Sequence, residues 1–164
     1  MQTFITDSNP IICAKHLDNK RLGKQRVEAF QILNTIEKGG GWSNHPCVKM
    51  WIGHELSLKY YFNSMVDEWI WRGFKNTMVK YSNFDIQMPW WFSLEPLQKS
   101  HRAALLRKNS NFYKNVFQIE NIESSDLIDF LDYKYIWPSK LDHNTLIKLQ
   151  NGEILPLSSL AEKL

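Results

Sequence analysis

Lys15-His16-Leu17-Asp18-Asn19-Lys20-Arg21-Leu22-Gly23-Lys24-Gln25-Arg26-Val27-Glu28 sets five Lys or Arg and one His within residues 15–26, against a single acid, Asp18. The stretch runs straight into apolar residues at helical spacing: Val27, Phe30, Ile32, Leu33 and Ile36. Asp18 and Asn19 are capping types, and Gly39-Gly40-Gly41 is a stop, so the pattern predicts a helix over 19–38. On that helix Lys20, Lys24 and Gln25 share a face, Arg21 pairs with Gln25, and Leu22 pairs with Arg26. A cationic half-turn joined to a buried stripe suits a rigid platform for an anion, phosphate above all. The same composition also describes a plain solvated helix face. Gly23 costs up to about 1 kcal/mol against Ala in a helix interior, which predicts a break there or the close approach of another group.

Working outward, Met1 to Thr6 alternates apolar and polar residues, as a short strand or an arm packed on the body does. Asp7-Ser8-Asn9-Pro10 predicts a helix start and a first short helix over 10–17. Pro46 opens a third helix, read as Cys47 to Gly73, whose Trp51, Leu58, Tyr61, Phe62, Met65, Val66 and Trp69 give a broad apolar face. An aromatic stripe of this kind is core far more often than a cofactor box. The pattern loosens from Phe74 to Trp91, and a fourth helix is expected from Glu95-Pro96 to Lys108, with a short one within 119–132. After Pro138 the character changes. Residues 146–157 carry a hairpin signal around Asn151-Gly152. The reading is an all-α domain over 1–138, with a short N-terminal arm and a C-terminal extension, 139–164, holding a β-hairpin.

Composition narrows the function classes. At 164 residues, 43% hydrophobic and 13% aromatic, the chain has material for a real core. Its apolar runs are too short to cross a membrane, and no secretory signal is visible, so a cytoplasmic protein is expected. Cys13 and Cys47 form no metal or disulfide motif and read as buried small residues. Residues 1–117 carry 16 basic and 9 acidic groups, while residues 118–164 carry 4 and 8. A basic body with an acidic tail-piece fits a polyanion binder. Phosphate-loop, dinucleotide, zinc-protease and hydrolase signatures are absent, and His45, His54 and His101 lie too far apart for a ligand set, so neither cofactor nor metal is expected. A second basic cluster spans Lys99 to Lys108. There Arg102, Arg107 and Lys108 remain for solvent or phosphate, and His101 is either a core-edge histidine or a catalytic one. Phe112, Tyr113 and Lys114 add the cation–aromatic mixture found where single strands or flipped bases are held.

These motifs carry a resemblance. Met1–Phe4 (MQTF), Leu17–Glu28 (LDNKRLGKQRVE), Asn44–Trp51 (NHPCVKMW), Asp67–Phe74 (DEWIWRGF), His101–Lys108 (HRAALLRK) and Trp137-Pro138 resemble a branch of short proteins of the pyrimidine-dimer DNA glycosylase (endonuclease V) family, known from phages and bacteria. The resemblance implies an all-α fold and a base-excision DNA glycosylase and abasic-site lyase acting on double-stranded DNA. It also implies attack on the sugar by the N-terminal amine, a Schiff base assisted by a glutamate on the basic helix, and β-elimination. In frame, Arg26 matches a phosphate-gripping arginine and His16 the histidine before it. Two positions depart from the family pattern. Gly23 stands where the glutamate is expected, and Gln2 where a small residue is exposed by removal of Met1. The nearest acid on the helix is Glu28, which becomes the acid/base candidate, with Met1 or His101 as its helper. α-Amines keep an appreciable neutral fraction near neutral pH, so an imine on a retained Met1 is chemically open. His16, Lys20, Arg21, Lys24, Gln25, Arg26, Arg102, Arg107 and Lys108 are the candidate nucleic-acid contacts. A non-catalytic nucleic-acid binder or inhibitor on the same fold, and an enzyme acting on a small nucleotide or phosphorylated substrate, are the alternatives. The oligomeric state stays open.

Overall fold

A computed structural model describes residues 1–82 and 86–164. The loosened stretch expected over 74–91 includes residues 83–85, which lie outside the described residues. The chain forms two compact units, Met1–Pro89 and Trp90–Leu164. Among the described residues the secondary structure is helical, with one isolated antiparallel bridge, Tyr133 to Lys163. The all-α expectation holds.

In the first unit an extended arm, residues 1–9, leads into α1 (Pro10–His16), α2 (Asn19–Lys38), α3 (Pro46–Lys49) and α4 (Glu55–Trp71). Asn9 caps α1 through a side chain that accepts from the Ile11 N–H, and Asp18 caps α2 by accepting from the Arg21 N–H. The bounds of α2 are those read from the sequence, and its buried stripe agrees only in part, at Ile32 and Leu33. The buried residues are Leu22, Gln25, Ala29, Ile32 and Leu33, whereas Val27 and Phe30 are exposed. Gln25 therefore does not share the exposed face of Lys20 and Lys24. A polar residue within the stripe concealed its phase.

The third predicted helix divides in two. Gly53 sits at φ +82° and donates its N–H to the Glu55 carboxylate over 2.9 Å, so turns separate α3 from α4. Left-handed φ is cheap for glycine and ends the helical ladder there. α4 closes in a Schellman motif. Gly73, at φ +85°, donates to the Ile70 carbonyl, and the Phe74 N–H donates to the Trp69 carbonyl. The Phe74 ring then stacks on Trp69 at 4.2 Å between centroids. Arg72, at the cap, donates to Glu68, to the carbonyls of Ala14, Lys15 and Leu17, and to Asn19. A cation placed on the last carbonyls of α1 satisfies acceptors the helix cannot and meets the negative end of its dipole. The Arg-Gly-Phe sequence is thus one device that ends α4 and ties it to α1 and the start of α2.

The second unit holds α5 (Glu95–Lys108), α6 (Ser110–Val116), α7 (His143–Gln150) and four 3₁₀ turns, at 90–93, 129–132, 138–140 and 157–159. The expected hairpin is corrected. Asp142 caps a helix by accepting from the Thr145 N–H, and Asn151-Gly152 forms its C-terminal stop. Gly152, at φ +82°, donates to Leu149, and the Glu153 N–H donates to Lys148. An Asn-Gly pair serves a Schellman stop as readily as a hairpin turn, and the capped helical run before it decides which forms. The chain end pairs instead with Asp132–Lys134, through Lys134 N–H to Glu162 and Leu164 N–H to Asp132, each 2.8 Å.

Candidate active site

Residues 2–6 of the arm are buried. Thr3, Ile5 and Thr6 are fully buried and Gln2 and Phe4 nearly so. Buried extended backbone with no neighbouring strand must find partners among side chains. Gln25 supplies two of them. Its Oε1 accepts the Phe4 N–H over 2.9 Å, and its Nε2 donates to the Gln2 carbonyl. Tyr61 donates its hydroxyl to the Phe4 carbonyl (2.9 Å), and Trp51 Nε1 donates to Thr3 Oγ1 (3.0 Å). Thr6 Oγ1 and His16 Nδ1 lie 2.9 Å apart. Desolvation pushes the Tyr61 hydroxyl well above its ordinary range and holds it neutral, as a donor.

This threading brings the chain's first atom onto α2. The Met1 amine lies 3.8 Å from Glu28 Oε1, and Lys24 Nζ lies 3.6 Å from the same oxygen. The Glu28 side chain is 12% exposed and that of Met1 5%, while Lys24 is 72% exposed. Two primary amines therefore flank one largely buried carboxylate, one anchored from within and one reaching in from solvent. Cys47 is close by, with Sγ 3.6 Å from Thr3 Oγ1. Burial pushes its thiol up to about 12 and that of Cys13 to about 11, so neither is a thiolate near neutral pH.

Gly23 shows why no carboxylate stands five residues earlier. A Cβ built there would lie 2.9 Å from Trp69 Cζ3 and 3.0 Å from Cη2. The indole, half-buried, is held where it lies by three contacts. It stacks on Phe74, donates Nε1–H to the Lys75 carbonyl over 3.0 Å, and carries the Arg26 guanidinium over its face at 4.2 Å. The close approach signalled by a mid-helix glycine is that of a tryptophan, and α2 continues through it unbroken.

The remaining candidates divide. Lys20 and Lys24 are exposed on α2, while Arg21 is held by Asp18 at the helix cap. Arg26 donates to Asn76 Oδ1 over 2.7 Å, and partial burial lowers its guanidinium from the ordinary value. His16 is half-buried on Thr6. Gln25 holds the arm from inside, so its place among the exposed nucleic-acid contacts is corrected. In the second unit Arg102 lies over the Phe117 ring at 5.6 Å, and Arg107 donates to the carbonyls of Phe130 and Leu131. Lys108 is exposed. His101 is fully buried, with Tyr135 and Trp137 edge-on to its ring, and desolvation pushes it down to about 3. A ring so enclosed is a neutral core residue, and the core-edge reading replaces the catalytic one. Sequence reasoning did not single out Trp69, Asn76, Thr3, Trp51 or Tyr61 as site supports; only the mid-helix Gly23 signalled Trp69.

A family model for pyrimidine dimer DNA glycosylase matches residues 1–82, half of the chain. The chain belongs to the pyrimidine dimer DNA glycosylase family. The match covers the arm, α1, α2, α3, α4 and the Arg-Gly-Phe closure, the segments that build the amine–carboxylate pair. At family level this makes DNA repair the function and DNA the partner. No curated protein and no solved structure matches the chain significantly. Among the described residues no helix is long and apolar enough to cross a membrane.

Proposed function

We propose that this family member is a base-excision DNA glycosylase and abasic-site lyase whose nucleophile is the α-amine of a retained Met1 and whose acid/base is Glu28. The observation that carries the reading is the 3.8 Å approach of the Met1 amine to the Glu28 carboxylate on the basic helix. Relative to the family pattern, both partners have moved along the chain: the amine from a processed second residue to Met1, and the carboxylate from position 23 to 28. Retention of Met1 fits Gln2, whose side chain is nearly buried and accepts the Thr3 N–H through Oε1.

The neutral amine attacks C1′ of the target nucleotide, and the C1′–base bond breaks with its electron pair leaving on the base. The proton lost by the amine passes through Glu28 to the base. Glu28 takes up a second proton from solvent and donates it to the ring oxygen as the C1′–O4′ bond opens, leaving a C1′ iminium. As a carboxylate it next removes a C2′ proton. The resulting electron pair expels the 3′ phosphate, and the strand breaks by β-elimination; water later hydrolyses the imine. Lys20 and Lys24 meet the backbone as solvent-facing cations, and Arg26, set on Trp69 and Asn76, presents a fixed guanidinium.

Incubation with duplexes containing a pyrimidine dimer, an abasic site or a modified base, with borohydride present, tests the reading. A trapped adduct mapped by mass spectrometry to the Met1 α-amine is expected. No adduct and no strand cleavage on any duplex would remove the lyase assignment. A second reading, a DNA binder without lyase chemistry, is favoured by one observation: Trp69 fills the space where the family carboxylate would begin. Binding without adduct selects it.

A further inference from the structure

We infer that Gln25 is the positioning residue that holds the Met1 amine against Glu28, and that its side chain acts as a two-point clamp on the arm; this rests on the lyase reading above. Gln25 is 1% exposed, on the stripe of α2 that faces the arm, between Lys24 and Arg26 in sequence. A buried carboxamide is costly unless both its ends are bonded. Here both ends are bonded to one short backbone segment, the carbonyl of Gln2 and the N–H of Phe4. That is the pairing a neighbouring strand would offer two alternate residues, supplied by a single side chain. It sets the arm's position along α2 as well as its distance from it.

The clamp has a direct consequence for the amine, which stands one residue beyond the Gln2 carbonyl. The Met1 side chain, almost fully buried, anchors the other side. Glu28 lies three residues after Gln25 on the same helix, so clamp and carboxylate move as one body. Sliding the arm by one residue would carry the amine over 3 Å along the helix and out of reach of Glu28. Two further arm anchors, Trp51 on Thr3 Oγ1 and Tyr61 on the Phe4 carbonyl, act farther from the terminus than the Gln2 carbonyl and come from the turns after α3 and from α4.

Gln25→Met keeps the length and burial of the side chain and removes both hydrogen bonds. With an abasic-site duplex, kcat is expected to fall about 100-fold while KM stays within about twofold, the mark of a misplaced reacting group. Gln25→Glu keeps an acceptor for the Phe4 N–H but sets a carboxylate against the Gln2 carbonyl. Its activity is expected to be reduced at neutral pH and to recover as the pH falls and the new carboxyl gains a proton to donate. Independently of turnover, the α-amine is ¹³C-methylated and its methyl resonance recorded by NMR at one fixed pH, with and without Glu28→Gln. Replacing Glu28 is expected to shift that resonance in the native chain and not in Gln25→Met. A native kcat in Gln25→Met, a native-shaped pH profile in Gln25→Glu, or an amine that still senses Glu28 after Gln25→Met overturns the inference. If the native protein traps no adduct, the lyase reading falls and the NMR cycle still decides the clamp. Should Gln25→Met not fold, Gln25→Glu carries both the pH profile and the NMR comparison.

Discussion

The two basic helices, α2 and α5, have similar compositions and opposite destinations. On α2, Lys20 and Lys24 face solvent, and Lys24 shares a carboxylate oxygen with the chain's own amine. On α5, Lys99 bridges Glu95 and Asp126, Arg102 covers Phe117, and Arg107 holds the carbonyls of residues 130 and 131. Charge density in a sequence does not separate these roles. What separates them is whether the helix packs beside backbone whose carbonyls and acids need cations. The segment 119–132 is acidic and short of regular structure, so Lys99 and Arg107 of α5 serve as its internal partners.

Four tests break or sharpen this contrast. The largest effect is expected from Glu28→Gln, which removes the acid/base and leaves the amines. Strand cleavage at an abasic site should fall by about 10²–10⁴-fold, with DNA affinity nearly unchanged in a gel-shift titration. Gly23→Ala follows. Its methyl meets an indole pinned on three sides, so urea denaturation should show a loss of about 1–3 kcal/mol, where an open helix position would gain stability from Ala.

His101 gives the third test, through pH. Its folded-state pKa is about 3, far below the ordinary 6.5, because burial disfavours the charged ring. Between those values the unfolded chain binds a proton that the folded chain does not. Stability from this group is therefore complete above about pH 6.5 and is lost as the pH falls toward 3, by up to about 1.4 kcal/mol per unit. His101→Phe should flatten the decline between pH 7 and 5, measured by denaturant melts at each pH. An unchanged slope would mean that the ring is hydrated. The smallest effect separates the two helices directly. Lys20→Ala with Lys24→Ala should lower the slope of log K against log salt by about 1 for each lysine, while Arg107→Ala should leave the slope intact and lower the melting temperature.

The sequence alone determined much of this protein. The caps Asn9 and Asp18 and the stops at Gly39 and Gly73 are local chemistry, decided within a turn of the chain, so α2 and the helical class are legible without neighbours. Glu28 and Met1 were legible as candidates through the family resemblance, Met1 as the bearer of the terminal amine and Glu28 as the acid on the basic helix nearest to Gly23. Tertiary structure decided what those places mean. It turned Gln25 inward, because the buried arm needed a donor and an acceptor at one point. It filled the space above Gly23 with Trp69, and it enclosed His101 among aromatic rings. Each is a contact between residues far apart in the chain, where packing and desolvation outweigh local preference, and no window of sequence contains both partners.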